Sequence, residues 1–486
     1  MTLKQIFTAA LLGLSLLVAV LLYRTLTLTL PDWPVPEASK VQPDPAQLAA
    51  NLSKAVQFKT ISFDHGVVDK AAFNGFVAFL AETYPALHQQ AGLVRLNDYT
   101  LLYHLKGRDR SRKAVLWSAH YDVVPVIPGT EKKWRHSPFA GIIAEGYIWG
   151  RGTMDDKGSA IAMLEAVSWL LQQGQLPDHD LYLALTHDEE IGSTKGSQAV
   201  ADWFKQQQIP LAWSLDEGSF VLDGMVPGIS QKVASINIAE KGYLNVELVA
   251  SAAGGHSSMP PAETAVTSLA QALLKLKEHQ LPASLDGLPL QFYQRLAPAM
   301  GFTQRLLVAN NWLFGPLIEA ELATMPAGNA MLRTTYAPTM LSGSVKSNVL
   351  PIEARATVNL RIHPRDTVEA VIAHLERVIA DPRIRLVAER GMEASPVSAT
   401  DNAAFRLLEQ VSRKVHGDVL TVPGLTLGAT DSRFYSDIAE ANYRYAPMVV
   451  TPQDLTGFHG TDERISQDNL VKAVQFYAEL LLATTE

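Results

Sequence analysis

Hydrophobic and polar residues alternate along this chain in three different textures. Between Lys4 and Arg24 lie 19 uncharged, mostly apolar residues, Gln5 to Tyr23. With no wet face they predict a helix of about 28 Å at ~1.5 Å per residue, close to the ~30 Å hydrocarbon core of a bilayer. From Ala46 onward short apolar runs alternate with helical spacing. Phe73, Phe76, Val77 and Leu80 repeat at i, i+3, i+4, i+7, a helix signature. Ala114–Trp117, Gly146–Trp149, Leu181–Leu185 and Leu211–Leu215 are apolar runs with the length and aromatic or branched content of strands buried on both faces. A helix is expected over Lys157 to Gln173. This predicts an α/β unit, a mainly parallel sheet covered by helices on both faces.

The third texture begins near Val233. Lys241 to Val249 and Ala354 to Ile362 alternate polar with apolar, as antiparallel strands with one wet face do. Helices are expected over about 262–279 and after Pro364, a strand over Ile384–Ala388, and an irregular stretch over 281–340. The expected organisation is an apolar N-terminal helix in 1–30, a proline-rich stalk in 31–45, a first α/β segment in 46–232, an inserted α+β domain in 233–391 and a return to the first domain in 392–486. The stalk rests on Pro31, Pro34, Pro36, Pro43 and Pro45, which favour extended chain.

Length and composition sharpen this only at the margins. At 486 residues the chain exceeds what one core usually supports, so two domains are expected. A net charge of −8 and the lack of a basic run exclude nucleic acid as a partner. Zero cysteines exclude disulfides, thiolate zinc sites and a cysteine nucleophile. The α-amino group and Lys4 outweigh Arg24, which favours a membrane-anchored protein whose globular part lies outside the cytoplasm. Secretion after signal cleavage is the alternative, although bulky residues follow Arg24 where a small-residue cleavage site would stand.

The chemistry collects where strands end, the place where ligands gather in open α/β sheets. His120 and Asp122 lie two apart at a strand end and face the same way. His120 reads as a metal ligand and Asp122 as the group that fixes its tautomer. Asp155 stands in a glycine-bracketed loop before a helix and is assigned as a carboxylate bridging two metals; Asp156 fits a helix N-terminal charge better. Of the adjacent pair, Glu190 is read as ligand and Glu189 as general base. Asp216, which ends a strand, is preferred as a ligand, with Glu217 the runner-up, and His459 beside Gly460 completes the set. Two imidazoles and several carboxylates without a thiol suit a pair of divalent hydrolytic metals, zinc first. In the inserted domain Arg361 is a candidate for a substrate carboxylate, and His256 and Asn348 for a tetrahedral oxyanion.

With these residues in place, the chain resembles the aminoacylase and carboxypeptidase S group of dinuclear zinc hydrolases, peptidase family M20. The carrying motifs are His-Tyr-Asp-Val-Val-Pro at 120–125, Gly-Arg-Gly-Thr-Met-Asp-Asp-Lys-Gly at 150–158 and His-Asp-Glu-Glu-Ile-Gly at 187–192. Gly-Gly-His-Ser-Ser at 254–258, Gly-Ala-Thr-Asp-Ser-Arg at 428–433 and His-Gly-Thr-Asp-Glu-Arg at 459–464 join them. The resemblance implies two zinc ions per chain, replaceable by cobalt or manganese. It places His120 and Asp216 on one, Glu190 and His459 on the other, Asp155 between them and Glu189 as base. It implies substrate contacts at Gly428 and Thr430, where the Gly-Gly-Thr-Asp of many members reads Gly-Ala-Thr-Asp. It also implies a lid domain that in many members forms a homodimer.

The function expected is hydrolysis of an amide bond beside a free carboxylate, in short peptides or N-acyl amino acids. The competing reading is a membrane-tethered binding protein that kept the fold and lost catalysis. Retention of Glu189 beside the ligands argues against it.

Overall fold

Val115, Trp117 and their neighbours predict a strand covered on both sides, and the computed structural model places the fully buried strand Ala114–His120 inside a ten-stranded sheet. It describes residues 2–30, 36–63, 68–389 and 391–483. They form two units, one of Pro31–Ile238, Ser398–Gly424 and Thr430–Glu486, the other of Met1–Leu30, Ala239–Val397 and Leu425–Ala429.

In the first unit Leu181–Thr186, Ala114–His120, Leu211–Asp216 and Asn442–Arg444 are neighbours and run parallel. Gly92–Leu96 and Thr100–Leu105 extend the sheet antiparallel on one side, and Val233–Glu240 joins antiparallel on the other. The sheet is therefore mixed, with a parallel middle. The period of two sorts side chains onto its faces. Ala114 and Leu116 pack with Val200 and Phe204 of the helix Ser197–Gln207, and with Tyr435. On the opposite face Trp117 meets Tyr477 of the helix Gln467–Ala483 at 5.3 Å between ring centroids. That helix packs along Lys157–Gln172, whose residues are buried almost throughout because it lies between the sheet and its neighbours. A strand with helices on both faces carries few polar side chains along its length, and those it carries are paired, as Ser118 is with Tyr435 and Ser214 with Asn442. Polar chemistry is left to the loops at its ends.

The second unit is built differently. Thr335–Ser342, Glu353–Ile362, Gly242–Ser251 and Ile384–Ala388 form an antiparallel sheet in that order. Leu244, Val246, Leu248, Ala356, Val358 and Leu360 point to one face, under the helices Ala265–Glu278 and Val368–Ile379. A separate cluster of Leu285, Val308, Ile318, Leu322 and Leu332 holds the helices Leu288–Leu296, Phe302–Ala309, Asn311–Leu322 and Pro326–Leu332. The N-terminal helix Leu3–Thr27 belongs to this unit; Leu11, Leu12, Leu14 and Leu16 along it are each more than half exposed.

Several expectations change. The strand Val233–Glu240 is buried at every position and pairs in the large sheet, so the alternating texture begins only at Gly242. The unit boundaries accordingly fall at Ala239 and Val397, not at 233 and 391. The stretch 281–340 is mainly helical, its periodicity masked by short helices and internal prolines such as Pro316. Tyr147–Trp149 is not in the main sheet; it pairs antiparallel with Ile142–Ala144 and Arg464–Ser466. Of the expected stalk, 31–35 lie outside the described residues. The remainder is no free spacer: Val41 is buried, its carbonyl accepts from Gln475 Nε2 at 2.9 Å, and Pro45 opens the helix Pro45–Val56.

Candidate metal centre

Five segments of the first unit converge beyond the carboxyl ends of its parallel strands. His120, the last residue of Ala114–His120, is almost wholly buried, and its Nδ1 lies 3.0 Å from the Asp122 carbonyl and 3.4 Å from Asp122 Oδ1. Asp122 also accepts from the backbone N–H groups of Glu189 at 3.2 Å and Glu190 at 3.3 Å. One buried carboxylate thus orients the imidazole and pins the turn that presents both glutamates.

Asp155 stands between the two histidines. Its Oδ1 is 2.9 Å from His120 Nε2 and its Oδ2 is 3.2 Å from His459 Nε2. His459 Nε2 is also 3.2 Å from Glu190 Oε2, and His120 Nε2 is 3.5 Å from Glu217 Oε1. Among the described residues two overlapping donor groups result, His120 with Asp155 and Glu190, and His120 with Asp156 and Glu217.

The electrostatics match a site made for cations. Burial and the Asp155 charge push the Glu190 carboxyl up to about 7. Burial and neighbouring carboxylates likewise raise Glu189, Asp156 and Glu217. Burial works against Asp155 too, but the two histidines hold it below the usual carboxylate range. His459 is pushed up to about 10 by its bonds to Asp155 and Glu190. Burial opposes charge on His120, yet Asp122, Asp155 and Glu217 raise it well above the ordinary imidazole value. Carboxylates crowded this way repel unless protons or cations intervene. Glu190 Oε1 is buried with no hydrogen-bond partner among the described residues, an acceptor suited to a metal. The donor set, oxygen and imidazole nitrogen only, fits divalent zinc, cobalt or manganese.

The strand geometry decides between the acidic neighbours at 216 and 217. Asp216 is the final residue of Leu211–Asp216, buried opposite Arg444 in the parallel pairing. Glu217 comes one residue later, turns the other way and reaches His120. Glu217, not Asp216, therefore joins the cluster.

Two residues left without a role in the sequence reading tie the centre together. The Arg151 and Glu463 side chains are each only 1% exposed and meet at 2.7 Å. Glu463 accepts from the N–H groups of Gly152, Met154 and Asp155 at 2.9–3.2 Å. Arg151 donates to the carbonyls of Gly457 and Gly460, at 3.4 and 2.7 Å. The pair clasps the Asp155 loop to the His459 loop. His459 itself takes φ +54°, and a Cβ at Gly460 would come within 2.0 Å of the Thr456 carbonyl, so only glycine fits there. Both residues stood inside the motifs at 150–158 and 459–464, but nothing in either motif says that the two touch.

The other sequence-predicted residues are distributed over both units. Thr430, in the first, is buried and caps the turn Asp431–Asp437 through its Oγ1, which accepts from Ser432 N at 3.3 Å. In the second, Gly428 has open space around its Cα, so no close approach explains a glycine there. His256, exposed, pairs with Val349, and Asn348 adjoins it, its carbonyl accepting from Ser257 N at 3.2 Å. Ser258 Oγ lies 2.8 Å from His256 Nδ1. Arg361 stacks its guanidinium over the Tyr243 ring at 4.9 Å.

A mixed sheet with imidazoles and carboxylates converging beyond its parallel strand ends is the arrangement of a metal-dependent hydrolase. The chain belongs to peptidase family M20/M25/M40, whose family model matches residues 116–483. It is 40% identical over 444 residues to a probable carboxypeptidase S-like protein of Dictyostelium discoideum, covering 90% of this chain and 85% of the relative. It is 35% identical over 487 residues to an N-fatty-acyl-amino acid synthase/hydrolase of Xenopus tropicalis, covering 98% and 94%. Among solved structures, an M20 family metallo-carboxypeptidase from Sulfolobus solfataricus shares the fold, with TM-score 0.65, 19% identity and coverage of 90% of this chain and 98% of that one. The chain is thus an enzyme, a hydrolase of a metallopeptidase family.

Proposed function

We propose that this chain is a dinuclear zinc-dependent hydrolase that cleaves the amide bond next to a free carboxylate, in N-acyl amino acids or short peptides. The observation carrying the reading is Asp155, whose two oxygens address two different histidines. His120 and Glu217 would hold one zinc, Glu190 and His459 the other, with Asp155 shared. Bound zinc supplies a water acidified to near-neutral pKa and polarises the scissile carbonyl.

The chain's own residues do the rest. Glu189, its carboxyl raised by burial, accepts the proton of the attacking water and returns it to the leaving nitrogen. Asp122 keeps His120 in place. We assign Arg361 to the substrate carboxylate, His256 and Asn348 to the developing oxyanion, and Thr430 with Gly428 to further substrate contact. Names of the relatives support both substrate types, carboxypeptidase for one and N-fatty-acyl-amino acid hydrolase for another. The binding-only alternative finds no support among them.

Two features lie outside the chemistry. The helix Leu3–Thr27 is long and apolar enough to cross a membrane, and we read it as an uncleaved anchor with the catalytic unit on the non-cytoplasmic side. The strand Thr335–Ser342 is a sheet edge with Met340 and Leu341 exposed, which supports pairing of two copies through the second unit.

The test is elemental analysis of purified protein, paired with turnover of N-acyl amino acids and dipeptides. Two zinc ions per chain, with Glu189→Ala keeping both and losing turnover, are expected. Wild-type protein that binds such compounds without cleaving them would sink the reading.

A further inference from the structure

We infer that the helical corner Phe302–Leu322 of the second unit is seated in the membrane interface, as a wedge beside the anchor. The inference rests on the reading of Leu3–Thr27 as that anchor and adds a second lipid-facing element to it.

The evidence begins with how the helix Phe302–Ala309 lies on the anchor. Arg305 donates to the carbonyl of Leu28 and, at 3.5 Å, to that of Leu26. Further along, Arg24 Nε donates to the Ala309 carbonyl at 2.9 Å. At the corner Asn310 Nδ2 reaches the Leu21 carbonyl at 3.2 Å and Thr25 Oγ1 at 3.3 Å. Numbers rise on one helix as they fall on the other, so the two are antiparallel. The helix Phe302–Ala309 therefore runs toward the anchor's apolar middle, and Asn310 is level with Leu21, within the uncharged span Gln5–Tyr23. Thr25 and Asn310 are both fully buried in this contact. The Asn310 amide N–H groups are bonded within this helix–helix contact, as polar side chains between membrane helices are.

From that corner Asn311–Leu322 continues with an apolar face that nothing among the described residues covers. Trp312, Leu313, Pro316, Leu317 and Ala320 are all exposed, at i, i+1, i+4, i+5 and i+8, which is a single stripe. Trp312 is 55% and Leu317 57% exposed, and Phe302 on the preceding helix is 56% exposed. The helix carries no charge until Glu319 and Glu321 in its last turn, the end furthest along from the corner; Glu319 Oε1 is occupied by the Leu285 N–H at 2.7 Å. An apolar stripe with a tryptophan, charge-free where the anchor contact is deepest, matches the water–lipid boundary. A second copy of the chain is the rival occupant. The antiparallel contact favours lipid, because it sets the corner at the depth of the anchor's uncharged span.

The chain has no cysteine, so single-cysteine variants label one site each. Full-length Leu313→Cys, Leu317→Cys, Leu12→Cys and Glu278→Cys would carry a polarity-sensitive fluorophore in phosphatidylcholine/phosphatidylglycerol vesicles. Quenching by doxyl-lipids and by aqueous iodide is then compared. Expected are blue-shifted emission and strong doxyl quenching at 313, 317 and 12, and iodide quenching at 278. Doxyl quenching at 12 with iodide quenching at 313 and 317 overturns the wedge and leaves the anchor standing. Labels at 313 and 317 shielded from both quenchers assign the stripe to protein and overturn it too. A label at 12 that meets no lipid, or is lost with a cleaved N-terminus, overturns anchor and wedge together.

Discussion

The two units bury similar kinds of residue in opposite ways. In the first, Ala114–His120 and Leu181–Thr186 are buried at every position, between helices on both faces. In the second, Glu353–Ile362 alternates buried and half-buried residues along its whole length, with helices on one face only. The difference governs where chemistry resides. A doubly covered strand has no wet face, so reactive side chains of the first unit are confined to strand ends, where they crowd and shift one another's protonation. A singly covered strand presents side chains partway along, such as Arg361 over the Tyr243 ring and Asn245 bonded to Asn359 and Glu389.

The comparison breaks most visibly at Glu189. Replacing it with glutamine should lower kcat by about 10²–10⁴-fold while zinc content stays at two, read by steady-state kinetics and elemental analysis. Arg361→Ala, in the other unit, should instead act mainly through KM. Equal loss of kcat from both would erase the proposed division of labour.

Next in size is the buried clasp. Glu463→Gln leaves Arg151 charged and buried, which costs about 3–5 kcal/mol by the behaviour of severed buried pairs. Denaturant unfolding should show that loss, and zinc affinity should fall with it because the Asp155 loop is released. A variant as stable as wild type would mean the clasp is not structural.

Core truncation then tests whether the units unfold separately. Leu185→Ala in the doubly covered sheet and Leu360→Ala in the singly covered one should each cost about 2–5 kcal/mol. Two resolved calorimetric transitions, each moved by only one of the variants, are expected; one shared transition moved by both would show a single cooperative block.

Smaller effects come from protons. Zinc ligands bind deprotonated, so affinity should tighten as pH rises from about 6 towards 10, through the Glu190 value of about 7 and the His459 value of about 10, with protons released on binding. Titration calorimetry in buffers of different ionisation heat would find no release if the ligands were already bare. Burial also depresses His416 and His187 in the first unit and His363 in the second to about 4. Between about 4 and 6.5 the unfolded chain binds more protons at these positions, so stability should drop as pH falls through that window. His416→Gln and His363→Gln should each flatten the acid side for one unit only.

Much of this was legible without coordinates, for reasons that follow from the same contrast. Uninterrupted apolar runs such as Leu181–Leu185 and the alternation of 354–362 each correspond to one way of covering a strand. The ligand-bearing motifs stood out because charged residues directly after a buried run have few structural uses. Less was legible where period or partner was decided elsewhere. Val233–Glu240 looked like the start of the second unit and pairs in the first sheet. The helices within 281–340 are too short to show their period. Choosing Glu217 over Asp216 needed the orientation of two consecutive side chains at a strand terminus.

Local pattern, then, was enough for the α/β and α+β textures, the apolar N-terminal helix, the family motifs and the inventory of imidazoles and carboxylates, because these depend on residues close in sequence. Tertiary structure alone decided that Asp155 faces two histidines, that Arg151 meets Glu463 across 312 positions, and that Asn310 docks on Leu21. Those contacts join segments far apart along the chain. Their geometry is set by how whole elements pack, a quantity that no local periodicity encodes.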